Sequence, residues 1–183
     1  MKRIDMTNVQ EPTGFDRPEA GAYICKITAV EDVPAKEYLK VTYDIAEGKY
    51  AGYYTKTRVD HPDWAWAGAY SKSYKTNALS FFKRFCTAVS KSNGNFVFDG
   101  GAVNSDERTL IGKKIGLLFQ EEEYYGNDGE KKTRLIVNRE FSIGTIASQK
   151  TPKPRLLKEE TAPGSVDGFM TIPDGTDEEM PFA

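Results

Sequence analysis

The chain has 183 residues, 39% of them hydrophobic, with 25 Lys+Arg against 27 Asp+Glu and a formal net charge of -2. This fits one domain plus a polar extension, and no window approaches the ~20 apolar residues that a membrane span needs. Two cysteines, Cys25 and Cys86, lack CxxC neighbours and the only histidine is His61, so a Cys/His metal site and a disulfide scaffold are both excluded.

Residues 1–20 are polar and carry Pro12, Gly14 and Pro18, which predicts an irregular arm. Tyr23, Cys25, Ile27 and Ala29 then alternate with Ile24, Lys26, Thr28 and Val30, and Leu39, Val41, Tyr43 and Ile45 alternate with Lys40, Thr42 and Asp44. This period of two predicts a pair of antiparallel strands. Residues 50–58 are read as a third strand with Gly52 as a bend, and residues 59–69, which include Trp64 and Trp66, as a loop with exposed aromatics. Leu79, Phe82, Phe85, Cys86 and Val89 recur at helical spacing, so a helix capped by Asn77 is predicted to run to Asn93-Gly94. After a loop over residues 95–109, Ile115, Leu117 and Phe119 begin a long strand that turns at residues 126–129 and returns through residues 132–141.

Closely spaced Pro and Gly mark residues 149–183 as a flexible tail. Residues 1–150 hold 22 Lys+Arg and 20 Asp+Glu, whereas residues 151–183 hold 3 and 7, so a mildly basic body precedes an acidic tail. The expected architecture is therefore mainly β: an irregular arm at 1–20, an OB-like domain at 21–148 and the tail at 149–183. The domain is expected to be a five-stranded antiparallel barrel with one helix between strands 3 and 4, an order also open to other small barrels and α+β sandwiches.

Seven large aromatics lie between Lys49 and Lys75, interleaved with cations. Tyr53, Tyr54, Lys56, Arg58, Trp64, Trp66, Tyr70, Lys72, Tyr74 and Lys75 are the candidates drawn from this stretch. Unpaired bases need flat rings to stack on and phosphates need cations beside them, so the composition points to single-stranded nucleic acid. The competing reading is that these rings fill a core. A second candidate set, Tyr124, Tyr125, Lys131, Lys132 and Arg134, accompanies the terminal hairpin. Residues 121–123, all Glu, are expected to face away from phosphate or to pair with Lys131 and Lys132. Lys83 and Arg84 are read as the solvated side of the helix.

The last ten residues set Asp177, Glu178 and Glu179 against Met180, Pro181 and Phe182, a solvated acidic run with an apolar anchor. This tip resembles the acidic tip of bacterial single-stranded-DNA-binding proteins, which recruits replication and repair enzymes, although here Ala183 follows the Phe. Residues 4–11, 20–27 and 43–48, together with Glu121-Glu122-Glu123-Tyr124 and Gly126-Asn127-Asp128-Gly129, resemble a family of small phage single-stranded-DNA-binding proteins. The resemblance implies an OB-like fold, sequence-tolerant binding of single-stranded DNA and a role in phage replication or recombination in the host cytoplasm.

The expected function is a non-enzymatic, cofactor-free binder and protector of single-stranded DNA whose tip recruits replication or recombination enzymes. RNA binding, a protein-interaction adaptor, and a metal-dependent nuclease built on Glu121, Glu123, Asp128 and Glu140 are the alternatives. Either a monomer or a homo-oligomer is compatible with this reading.

Overall fold

The computed structural model describes residues 17–64 and 66–157. Five strands, β1 (Gly21–Val33), β2 (Tyr38–Ile45), β3 (Ala69–Ser73), β4 (Lys114–Tyr125) and β5 (Lys131–Phe141), form one sheet in the order β3-β2-β1-β4-β5. All four pairings are antiparallel. Among the described residues three α-helices accompany them: α1 (Tyr53–Asp60), α2 (Leu79–Ser92) and α3 (Ile143–Ile146). No helix among the described residues is long and apolar enough to cross a membrane.

The predicted alternation on the first two strands places Cys25, Ile27, Leu39, Val41, Tyr43 and Ile45 in the core. There they meet Phe82, Phe85, Cys86 and Val89 of α2 and Ile115, Leu117 and Phe119 of β4. Register shifts leave Thr28 of β1 and Asn138 of β5 as extra residues opposite β2 and β4, adding local bend to the strands that carry them. The sheet is not closed: β3 and β5 are its two edges. They nevertheless face one another, because buried Lys72 of β3 donates from Nζ to Glu140 Oε1 of β5 at 2.6 Å.

Three local expectations are corrected. Residues 50–58 are not the third strand; most of them belong to α1, and the third strand is β3, which begins at Ala69, the last residue of the stretch read as a loop. The reason is a distant cap: the Asp44 carboxylate accepts from the Tyr54 and Thr55 amides, each at 2.9 Å, satisfying donors that a first helical turn leaves unpaired. Gly52, at φ 78°, supplies the left-handed turn before it.

Asn77 does not cap the main helix. It sits within a 3-10 turn, Thr76–Ala78, that leads into α2 without a side-chain cap. The predicted end at Asn93 holds, and its side chain fastens α2 to β4: Nδ2 donates to Val89 O and Lys114 O, and Oδ1 accepts from Lys114 N at 2.9 Å.

The segment expected to leave the domain at residue 149 instead stays on it through Leu157. Arg155 exchanges backbone hydrogen bonds with Glu121 and Glu123 in a parallel bridge centred on Glu122. This occupies the side of β4 beyond Phe119, where the pairing with β1 has ended. The arm up to residue 16 and the tail from residue 158, including the tip residues Asp177 to Phe182, lie outside the described residues.

Candidate nucleic-acid interface

A groove of about 790 Å³ opens at the N-terminal end of β3 and extends to the middle of β5. The rings of Tyr53, Tyr54, Trp64, Trp66, Tyr70 and Tyr124 line it, with Arg17 and Arg134 as its charged groups. No carboxylate lines it among the described residues. Two sequence segments read as separate candidate sets thus meet here, because the edges β3 and β5 face each other across the open seam.

The loop between α1 and β3 is built to present its indoles. Arg58 donates to the carbonyl oxygens of Ala67 at 2.9 Å and Tyr43 at 3.4 Å, and to Thr55 Oγ1 at 3.2 Å, tying the end of α1 to the returning chain. Gly68 then passes so close to Tyr54 that a Cβ there would lie 2.5 Å from the Tyr54 Cβ. Its φ of 65° and the 2.7 Å bond from the Tyr43 amide to its carbonyl set the loop's return into β3.

Held in this way, Trp64 and Trp66 are each 53% exposed, which rejects the reading of these two rings as core. One face of each is already covered. The His61 imidazole stacks on Trp64 at 4.2 Å with 13° between planes, and the Lys40 ammonium stands 4.7 Å from the Trp66 ring centre. The remaining ring surface and the adjoining cation match what stacked bases and their phosphates require.

The tyrosines divide. Tyr54 packs edge-on against Tyr43 and Phe119, and Tyr53 edge-on against Tyr54 and Tyr50, so these rings form the half-buried floor. Tyr70 packs against Tyr43, and its hydroxyl is buried without a hydrogen-bond partner among the described residues. Burial is the main cause that holds the phenols of Tyr43, Tyr54 and Tyr70 above their ordinary pKa, so they stay neutral. Tyr74 does not reach the groove: its hydroxyl donates to Asp32 at 2.8 Å and its ring packs on Phe82.

Several predicted phosphate contacts are already committed elsewhere. Lys72 is buried on Glu140, and Arg58 is spent on the loop carbonyls. Lys131 pairs with Glu123 at 2.9 Å, and Lys132 with Asp128. Arg134 stacks its guanidinium over Tyr124 at 4.8 Å and pairs with Glu122 at 2.7 Å; Arg155 joins the same carboxylate at 3.1 Å. The expected hairpin pairing of Glu residues with lysines therefore holds for Lys131 alone.

Lys56 and Lys75 are exposed and make no ion pair among the described residues, but neither lines the groove. Tyr125 is 65% exposed beside the hairpin turn and also lies outside the lining. On α2, Arg84 reaches Glu140 at 3.3 Å and covers Phe81.

The reading of the residues missed Arg17, Lys40 and the β5 residues Leu135 to Val137. Lys40 had a visible signal, because it alternates outward between Leu39 and Val41; its pairing with Trp66, 26 positions along, had none. Three of the four carboxylates considered for a metal are tied to separate cations: Glu140 to Lys72 and Arg84, Glu123 to Lys131 and Asp128 to Lys132. Among the described residues no group of three or more His, Cys, Asp or Glu side chains could hold a metal ion.

No protein-family model matches this chain, and no curated protein is found to be similar to it.

Proposed function

We propose that the chain binds single-stranded DNA with little sequence preference, laying bases against Trp64, Trp66 and the tyrosine floor and phosphates against Arg17 and Lys40. One observation carries the reading: a ring-lined groove with two exposed indoles, whose charged lining groups among the described residues are all cationic. Stacking at about 1–3 kcal/mol per base and counterion release at each neutralised phosphate would supply the affinity, and neither term reads sequence.

An OB-like barrel, open along one seam, is the architecture that accompanies this function. Five strands with α2 between β3 and β4, and edges that meet through Lys72 and Glu140, support that reading. The proposal extends to the acidic tip, which would recruit a replication or recombination enzyme, and to a role in phage DNA metabolism.

Titration with oligo(dT) tests the central point. Tryptophan fluorescence should be quenched, and affinity should fall steeply as salt is raised. No binding even at low salt would leave the protein-interaction adaptor as the better account, and equal affinity for oligo(U) would widen the substrate to RNA.

A further inference from the structure

The other end of β3 carries a cavity of opposite character. Just past Ser73 a pocket of about 340 Å³ is walled by Leu39, Tyr74, Leu79, Phe82 and Phe98 and rimmed by Asp32, Asp99 and Glu107. It shares no lining residue with the aromatic groove. None of the three rim carboxylates has a cation within 4.0 Å among the described residues, in contrast with the paired carboxylates of the hairpin.

The pocket is built in advance of any occupant. Asp99 accepts from the amides of Gly101 and Asn104 at 3.0 Å and of Val103 at 3.3 Å, while Asn104 Nδ2 donates to Val97 O and Thr109 Oγ1. Gly100, at φ 67°, lies so close to Phe82 that a Cβ would be 2.6 Å from the ring. A loop fixed by this many internal bonds loses little further freedom when something binds. Apolar surface of its wall stays uncovered: Leu79 is 49% exposed at the first position of α2.

We propose that this pocket docks a basic peptide segment of a partner protein, with one aliphatic or aromatic side chain in the cavity and Lys or Arg on the carboxylate rim. Charge selects among the possible occupants. Phosphates are repelled by Asp32, Asp99 and Glu107, and so is the chain's own acidic tail, which holds 7 Asp+Glu against 3 Lys+Arg beyond residue 150. The one basic, apolar piece of that extension within the described residues, around Arg155 and Leu157, is already bound along β4. An apolar anchor with a charge-complementary rim remains, the arrangement in which a buried central contact supplies affinity and peripheral charges supply selectivity.

Amide shifts of the nitrogen-15-labelled full chain, titrated with a synthetic peptide carrying one Phe between paired lysines, test this. The shifts should concentrate at Leu79, at residues 99–105 and at Glu107. Leu79→Ser, at an exposed position, and Glu107→Lys, at a half-buried one, should each weaken the peptide by roughly tenfold while leaving the thermal midpoint and oligo(dT) binding in place. The proposal is overturned if the peptide shifts the aromatic groove instead, if replacing its Phe by Ser leaves its affinity intact, or if oligo(dT) occupies this pocket.

Discussion

Lys72 Nζ lies 2.6 Å from Glu140 Oε1, with the two side chains 9% and 3% exposed, and this bond joins strands that share no backbone pairing. It bridges the two edges of the sheet from inside, with Arg84 of α2 at 3.3 Å on the other carboxylate oxygen. The open seam beside which the aromatic groove lies is therefore spanned by side chains rather than by a ladder. Removing Lys72 leaves the buried Glu140 carboxylate with only the longer contact from Arg84. Lys72→Met should thus lower the unfolding free energy by about 3–5 kcal/mol in urea titration. If Lys72 instead served as a phosphate contact, the variant would keep its stability and lose oligo(dT) affinity.

Trp64→Ala and Trp66→Ala should each weaken oligo(dT) by about 1–3 kcal/mol, roughly five- to 150-fold, with little effect on thermal unfolding because both rings are half exposed. Unfolding of either variant would show that the ring is structural. Lys40→Ala should reduce the slope of log affinity against log salt by about 0.7, the change expected for one phosphate contact on a single strand. An unchanged slope would assign Lys40 to packing on Trp66 alone.

Tyr70→Phe keeps the ring that packs on Tyr43 and removes a buried hydroxyl with no partner among the described residues. A buried polar group left unpaired costs on the order of 1–3 kcal/mol, so the variant should be at least as stable as the parent and gain about 1 kcal/mol. Calorimetry of the two proteins decides; a marked loss of stability would mean that the hydroxyl is paired.

The segment that ends at Leu157 should release in acid. The Glu123 carboxyl is held below its ordinary pKa first by the hydrogen bond from Lys131, and it also accepts the Leu157 amide at 3.1 Å. A depressed carboxyl stabilises the folded arrangement above its unfolded pKa, and that contribution fades as pH falls through the folded value. The Leu157 amide resonance should therefore be native-like at neutral pH and move toward its free position below about pH 4. Glu123→Gln should show the acid behaviour at neutral pH; an amide indifferent to both changes would assign the docking to the backbone bonds of Arg155.

Much of the sheet was legible because alternation is local. Cys25, Ile27, Leu39, Val41 and Phe119 had to share a face with their neighbours of like period, and they are core. The hairpin turn at residues 126–129 and the end of α2 at Asn93 were equally local signals. Residues 50–58 misled because the helix there buries no residue and takes its cap from Asp44, ten positions before Tyr54, so neither period nor neighbour announces it. The candidate rings were legible as a group. The cations among them were not, since a Lys or Arg reads the same in a sequence whether it faces solvent or a buried carboxylate.

Taken alone, the order of amino acids determined the apolar faces, the helix period of α2, the acidic tail and the clustering of rings between Lys49 and Lys75. Each of these follows from residues a few positions apart. Only the tertiary structure decided that Lys72 meets Glu140, that Arg58 braces a loop, that Lys40 stands over Trp66, and that β3 and β5 flank one groove. Those outcomes depend on how the sheet bends and which edges it leaves unpaired, a property of long-range packing that no local pattern encodes.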